Sequence, residues 1–263
     1  MSDAVAPATW VADRLRDDGV SVVDVRDAWE YDGIGHLPGA QNVPFDSFRS
    51  ETAGEAGMLP GADRFAELMS EAGVGADDRL VAYDDTHGVF AARLLVTAEL
   101  YGHDPARLHL LDGDFSAWRL AHETADGTPD PEPADYDAAF RTDGPLVDLG
   151  TVEAAVDDPE AILVDTREAW EFEEGHIPGA VRLDWRELVD DDSRGLRPES
   201  ALRDLLADRG VAPDRRVLLY CNTARRISHT YTVLRHLGYP DLAFYEGSLT
   251  EWEREGGDLE TGA

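Results

Sequence analysis

The feature that most limits what this chain can fold into is an internal duplication. Matching segments recur in the same order and at similar spacing in the two halves: 22–31 with 163–172, 35–40 with 175–180, and 80–83 with 217–220. A late element, Leu-Asp-Gly followed by Trp118, is matched by Tyr-Glu-Gly followed by Trp252. A repeat of this length indicates that one structural unit is built twice.

Each copy alternates short apolar strands with helical segments, a pattern that predicts a parallel sheet covered by helices. The fold class is therefore α/β, with two tandem domains, and 263 residues suffice for two modest domains. Proline alternates with other residues in the stretch between the copies, which favours an extended linker. We predict domains at 1–125 and 136–263, joined by a linker at 126–135.

The chemistry is predicted at Cys221, the only cysteine. An apolar strand ends at Tyr220, and a helical pattern follows the polar loop that closes with Arg226. A strand-to-helix junction gathers unpaired N–H groups and the positive end of the helix dipole, which stabilise a thiolate and can hold an anion. A lone cysteine after a strand is more often a small buried hydrophobe. The polar loop and its two arginines favour the chemical interpretation here.

The two copies separate structural residues from chemical ones. Asp-x-Arg and Gly-His-x-Pro-Gly occur in both copies, so a role in the fold is expected, and no second ligand stands at zinc spacing from either histidine. Where the second copy has Cys221, the first has Asp84, and it lacks the paired arginines. An aspartyl nucleophile of the dehalogenase type is disfavoured because Thr86 stands where a second aspartate is needed. We expect the first copy to be catalytically inactive.

Composition limits the classes of partner and the cellular compartment that are expected for this protein. The chain has 55 acidic and 23 basic residues, a formal net charge of −32, and every basic residue is arginine. Lysine-based chemistry is thereby excluded, and nucleic acid and anionic membranes are disfavoured as partners. The spread of acidic charge resembles a halophilic, salt-adapted surface. A single cysteine, the lack of a signal-peptide pattern in residues 1–20, and the lack of an apolar stretch of membrane-spanning length favour a cytoplasmic protein.

Together these motifs resemble the tandem rhodanese-type sulfurtransferases over nearly the whole chain. The resemblance implies an enzyme that carries sulfur as a Cys221 persulfide, taken from thiosulfate or 3-mercaptopyruvate and passed to cyanide or a thiol. The partners implied are a small-molecule donor and acceptor, with a protein thiol as a further acceptor. No metal or organic cofactor is implied.

The resemblance also implies the site residues. Cys221 and Arg226 are catalytic, with Arg226 closing the loop. The substrate-binding set is Asn222, Thr223, Ala224, Arg225 and Arg182. Arg182 lies opposite Asn42 of the first copy and is proposed in place of an arginine that two-domain relatives carry earlier, which leaves the donor open. Ala224 replaces the usual glycine, so we expect the loop to avoid a backbone φ that alanine disfavours.

Two other functions stay open. A Cys-dependent phosphatase or arsenate reductase uses a related fold, but it needs five residues between cysteine and arginine, where this loop has four and Ile227 takes the later position. A non-catalytic sulfur-carrier or regulatory rhodanese module has the same motifs. It differs only in whether free small acceptors turn over.

Overall fold

The computed structural model describes residues 4–50, 58–127, 129, 131–222 and 224–262. They form two compact units. The N-terminal unit holds the described residues up to Gly144 together with Asp191–Gly195, and the C-terminal unit holds Pro145–Asp190 and the described residues from Leu196 onward. The duplication in the sequence is therefore also a duplication in structure.

The N-terminal unit is built on a five-stranded parallel sheet in the order β1-β5-β4-β2-β3. Its strands are β1 Val5–Ala6, β2 Val20–Asp24, β3 Gln41–Asn42, β4 Arg79–Tyr83 and β5 Leu108–Leu111. Its helices are α1 Ala8–Ala12, α2 Ala28–Ile34, α3 Ala62–Glu71, α4 Val89–Leu100 and α5 Phe115–Ala121. Two short 3₁₀ turns lie at Phe45–Phe48 and Pro105–Arg107.

The C-terminal unit repeats this plan with a four-stranded parallel sheet in the order β7-β6-β8-β9. Its strands are β6 Ala161–Asp165, β7 Val181–Arg182, β8 Arg216–Tyr220 and β9 Leu242–Phe244. Its helices are α6 Leu149–Val156, α7 Ala169–Glu174, α8 Glu199–Asp208, α9 Arg225–His236 and α10 Ser248–Arg254. A 3₁₀ turn lies at Trp185–Leu188. The α/β class and the alternation predicted from sequence are confirmed.

The central strands form because their side chains are apolar on both faces, as a parallel sheet covered by helices requires. All five residues of β6 are buried, and so are the last four of β8. One side of this sheet packs into a core that includes Leu163, Leu218 and Trp252. The corresponding core of the first unit includes Val22, Val81 and Trp118. The two Trp residues are core aromatics, as expected from their place in the repeat.

The repeated Asp-x-Arg motif makes a buried ion pair in each unit. Arg167 donates from Nε and Nη2 to the carboxylate of Asp165, with a shortest distance of 2.6 Å, and from Nη2 to the Gly175 carbonyl at 2.6 Å. Arg26 makes the same contacts with Asp24 and Gly35. The pair ties the end of the first long strand of each unit to the turn after the next helix. Its role is structural, as its presence in both copies predicts.

The segment that follows the predicted linker packs with the N-terminal unit. The Tyr136 side chain is 5% exposed and faces the rings of Phe65 and His103. The Ala139 and Arg141 N–H groups donate to carbonyls at the end of α4, at 3.0 and 2.8 Å. Residues 136–144, which the sequence analysis counts with the second copy, therefore group with the first unit because this buried tyrosine anchors them there.

Within the described parts of the chain, no helix combines the length and apolar character needed to cross a membrane.

Candidate functional site

Cys221 lies directly beyond the carboxyl end of β8, a central strand of its sheet, and is 2% exposed. The start of α10 holds its backbone. The Cys221 N–H donates to the Ser248 hydroxyl at 3.2 Å, and the Cys221 carbonyl accepts from the Leu249 N–H at 3.0 Å. Thr250 donates to the next carbonyl, that of Asn222, at 3.1 Å. The sequence analysis did not single out Ser248, although it directly follows the Tyr-Glu-Gly segment that the first copy matches with Leu-Asp-Gly.

After Cys221 the chain turns sharply into α9, which begins at Arg225. Ala224 makes the turn with φ 58° and ψ −17°, in the left-handed region, and is fully buried. The expectation that alanine would avoid this backbone conformation is wrong. The Ala224 carbonyl accepts from the Ser228 hydroxyl at 2.8 Å, and the closed environment holds the strained residue in place. Thr223, assigned to the donor site from sequence, lies outside the described residues.

Arg225 and Arg226 occupy the first turn of α9 and are each partly buried. No acidic residue stands in that turn, whose N–H groups lack acceptors inside the helix. The helix terminus thus presents the positive end of its dipole to the side of the loop that follows Cys221.

Glu171 is the main site residue that sequence reasoning missed. It is the third residue of α7 and is 7% exposed. Its Oε1 accepts from the Asn222 amide at 2.8 Å, and its Oε2 accepts from Arg226 at 2.5 Å. The Nη1 atom of Arg167 lies 3.5 Å from the Oδ1 atom of the Asn222 amide. The side chains of Asn222 and Arg226 are therefore engaged by the protein itself.

The first copy shows what this loop does when an aspartate replaces the cysteine. The Asp84 carboxylate accepts four backbone N–H groups, from Thr86, Gly88, Phe90 and Ala91, at 2.7–3.0 Å. Complete burial raises the pKa of Asp84 above its ordinary value, and the four N–H bonds oppose that rise. The loop of the first unit is thus a cradle that surrounds a carboxyl group with N–H donors.

Arg182 stands at the end of the edge strand β7, away from the groups just described. Its guanidinium pairs with Glu187 at 2.9 Å, and its carbonyl accepts from Arg209 at 2.7 Å. Arg182 and Arg209 line a cleft of about 410 Å³, and none of its described lining residues belongs to the Cys221 loop. The structure therefore brings Asn222, Ala224, Arg225 and Arg226 together with Cys221, and it does not place Arg182 among them.

A second cleft, of about 320 Å³, reaches the loop at Asn222. Its other lining residues include the carboxylates of Glu171, Glu174 and Glu253. Arg167 also lines this cleft, so one guanidinium lies among those carboxylates. In the described part of the chain, no group of three or more His, Cys, Asp or Glu side chains is arranged to hold a metal ion.

Comparison with known proteins shows which family the two domains belong to. The model of the rhodanese-like domain matches the chain twice, at residues 7–121 and 148–255. The thiosulfate sulfurtransferase of Corynebacterium glutamicum is 32% identical over 280 residues, covering 95% of this chain and 87% of that protein. The sulfur carrier protein TtuD of Thermus thermophilus is 28% identical, covering 95% of this chain and 93% of that protein.

Among solved structures, the 3-mercaptopyruvate sulfotransferase SseA from Escherichia coli matches with a TM-score of 0.82 and 26% sequence identity, covering 93% of this chain and 98% of that chain. The two matches to the family model span most of the sequence and coincide with the two parallel sheets. The chain belongs to the rhodanese family and carries two rhodanese-like domains.

Proposed function

We propose that the protein is a sulfurtransferase that moves a sulfane sulfur from thiosulfate to a thiophilic acceptor through a persulfide on Cys221. The observation that carries the proposal is the position of the only cysteine. Cys221 lies after the central strand β8 and before α9. The equivalent loop of the first copy surrounds the Asp84 carboxylate with N–H donors. Thiosulfate sulfurtransferases among the relatives favour thiosulfate as the donor.

The reaction has two half-reactions at one sulfur atom. The Cys221 thiolate attacks the outer sulfur of thiosulfate, a sulfur–sulfur bond forms, and sulfite leaves with the electron pair of the broken bond. Cyanide, or a thiolate, then attacks the outer sulfur of the persulfide. Thiocyanate, or a new persulfide, departs, and the Cys221 thiolate is restored. The charge stays negative on sulfur throughout, so the same positive environment serves both steps.

Each loop residue contributes in a different way. The N–H groups of the α9 first turn hold the anionic sulfur, as the equivalent loop holds Asp84. Arg226 keeps the loop closed through Glu171, and Arg225 provides charge for the donor. Asn222, Thr223 and Ala224 contribute to the donor site as loop backbone, because the Asn222 amide is engaged by Glu171. Arg182 remains a proposed donor contact that needs its own test, and no metal or cofactor is required.

A mass measurement tests the proposal directly. Incubation with thiosulfate should add the mass of one sulfur atom to the intact protein, and cyanide should remove it as thiocyanate. The Cys221→Ser variant should gain no mass and produce no thiocyanate, while its circular dichroism spectrum stays that of the wild type. Absence of the adduct in wild-type protein with an accessible thiol would contradict the proposal.

3-Mercaptopyruvate is the second candidate donor, supported by the structural likeness to SseA. Persulfide formation from 3-mercaptopyruvate at a kcat/KM above that for thiosulfate would assign it as the donor. Assays of Arg182→Ala with both donors test whether Arg182 contacts the donor. Loss of thiosulfate use with persulfide still formed from 3-mercaptopyruvate would place Arg182 in the donor site.

Two other functions make different predictions. A phosphatase would hydrolyse p-nitrophenyl phosphate in a manner that depends on Cys221. We expect none, because only four residues separate Cys221 from Arg226 and the loop is too short to surround a phosphate. A carrier, as TtuD is named, would form the persulfide but transfer it only to a protein thiol. Turnover with free cyanide separates the enzyme from the carrier. A cytoplasmic location is part of the proposal, since one cysteine suits a reducing compartment.

A further inference from the structure

The Glu171 carboxylate joins three parts of the catalytic unit. It accepts the Glu168 N–H at 3.0 Å, which caps the start of α7. It also accepts from Asn222 at the beginning of the loop and from Arg226 at its end. The partners in the loop are 51 and 55 residues away in sequence. One carboxylate thus holds both ends of the loop that contains Cys221.

Burial makes the loss of either partner of the Glu171–Arg226 ion pair costly. The Glu171 side chain is 7% exposed and that of Arg226 is 20% exposed. A carboxylate removed from water to this extent needs charged or N–H partners, and removal of one partner of such a pair leaves the other uncompensated. The charge of Arg226 is therefore balanced by Glu171, and its guanidinium orients the loop.

The first copy shows the same residue without this role. Glu30 occupies the equivalent third position of α2 and accepts the Asp27 N–H at 3.3 Å. The residues that correspond to Asn222 and Arg226 are Asp85 and Val89. Asp85 instead accepts from the Ser116 N–H and hydroxyl, at 2.8 and 3.0 Å. Glutamate at this position caps a helix in both units, and among the contacts of the described residues only Glu171, in the unit with the cysteine, also accepts from its loop.

We infer that Glu171 is a positioning residue for sulfur transfer, which fixes the Cys221–Arg226 loop in the shape that accepts a persulfide. It acts through Asn222 and Arg226. The inference rests on the proposed function for its kinetic consequence. The structural part, that Glu171 orders the loop, stands on the contacts alone.

The test compares Glu171→Ala with Glu30→Ala in the full chain. Both variants lose a helix-capping carboxylate, but only the first releases the loop. We expect Glu171→Ala to lower kcat for thiocyanate formation by about tenfold or more, with a smaller change in KM, because misplacement of a reacting group by about 1 Å can cost about 100-fold. Glu30→Ala should retain wild-type kcat. Glu171→Gln, which keeps an oxygen acceptor but loses the charge, should fall between Glu171→Ala and the wild type.

Hydrogen exchange separates failure of this inference from failure of the proposed function. Peptides covering residues 221–227 should exchange faster in Glu171→Ala than in wild type, and those in Glu30→Ala should not. This readout needs no sulfur donor. Equal kcat and equal exchange in Glu171→Ala and Glu30→Ala would overturn the inference. If Glu171→Ala does not fold, the inference would be overturned by Glu171→Gln showing both wild-type kcat and wild-type hydrogen exchange.

Discussion

At the scale of single residues, Asp84 is fixed by four hydrogen bonds from backbone N–H groups, so we expect it to matter for the stability of the first unit. Its carboxylate fills the N–H cradle of the first unit, and an amide in its place can accept with one oxygen only. We expect Asp84→Asn to destabilise the first unit by about 1–3 kcal/mol, because two buried N–H groups then face an NH₂ group. Sulfur transfer should be nearly unchanged, since the thiol lies in the other unit.

Chemical denaturation and thiocyanate assays on the same preparation check both parts. Asp85→Asn is the control from the same loop, because Asp85 is partly exposed; its carboxylate accepts from Ser116 and pairs with Arg194 at 3.6 Å. A large fall in kcat with an intact fold in Asp84→Asn would show that the first unit takes part in catalysis.

His103 links the stability of the first unit to pH. Burial lowers the pKa of His103 below 6.5, against the opposing effect of its hydrogen bond to the Asp78 carbonyl. The unfolded chain therefore takes up a proton near pH 6.5 that the folded unit resists. Stability from this residue is present above pH 6.5 and is lost as the pH falls toward the lowered pKa.

His103→Gln removes this titration. Denaturation midpoints measured between about pH 7.5 and pH 5 should fall less steeply in the variant than in the wild type. His122→Gln, at the C-terminal end of α5, serves as the matched substitution control, because that histidine is only partly buried. Identical slopes in His103→Gln and wild type would contradict the assignment.

At the scale of elements, the loop before α9 depends on the left-handed conformation of Ala224. Glycine adopts this conformation freely, alanine with a cost of about 1–2 kcal/mol, and a β-branched residue hardly at all. We therefore expect Ala224→Gly to keep kcat within about threefold of wild type, since the conformation is retained. Ala224→Val should lose most activity, because the loop cannot close.

Thiocyanate formation and thermal melting of the two variants check this prediction. Ala207→Val in α8, which lies outside the site, controls for the general effect of a larger side chain. Full activity in Ala224→Val would show that the loop works in a different backbone conformation.

At the scale of the whole molecule, the acidic surface predicts a dependence on salt. A formal net charge of −32 repels itself in dilute buffer, and salt at about 1 M shortens the screening length to about 3 Å. We expect a higher melting temperature and higher activity in molar KCl than at low ionic strength. Scanning calorimetry in a KCl series measures the effect, with sucrose as a neutral additive for comparison. A melting temperature insensitive to KCl would contradict the halophilic interpretation.

The sequence by itself determined the architecture and pointed to the proposed nucleophile. Duplication, strand and helix periodicity, and the place of Cys221 between β8 and α9 are local patterns, and local patterns report backbone conformation and burial directly. The comparison of the copies also separated Asp-x-Arg, which makes the same buried ion pair twice, from Cys221, which has Asp84 as its counterpart. These inferences needed no knowledge of which distant residues meet.

Only the tertiary structure decided how the loop is held. Glu171 reaches Asn222 across 51 residues of sequence, and Ser248 reaches Cys221 across 27. Such contacts depend on how helices pack on the sheet, which no single segment encodes. The same packing holds Ala224 in a conformation that its own preference disfavours, and it sets Arg182 against Glu187 at the sheet edge. Local chemistry therefore pointed to the proposed nucleophile, and long-range packing decided which side chains contact its loop.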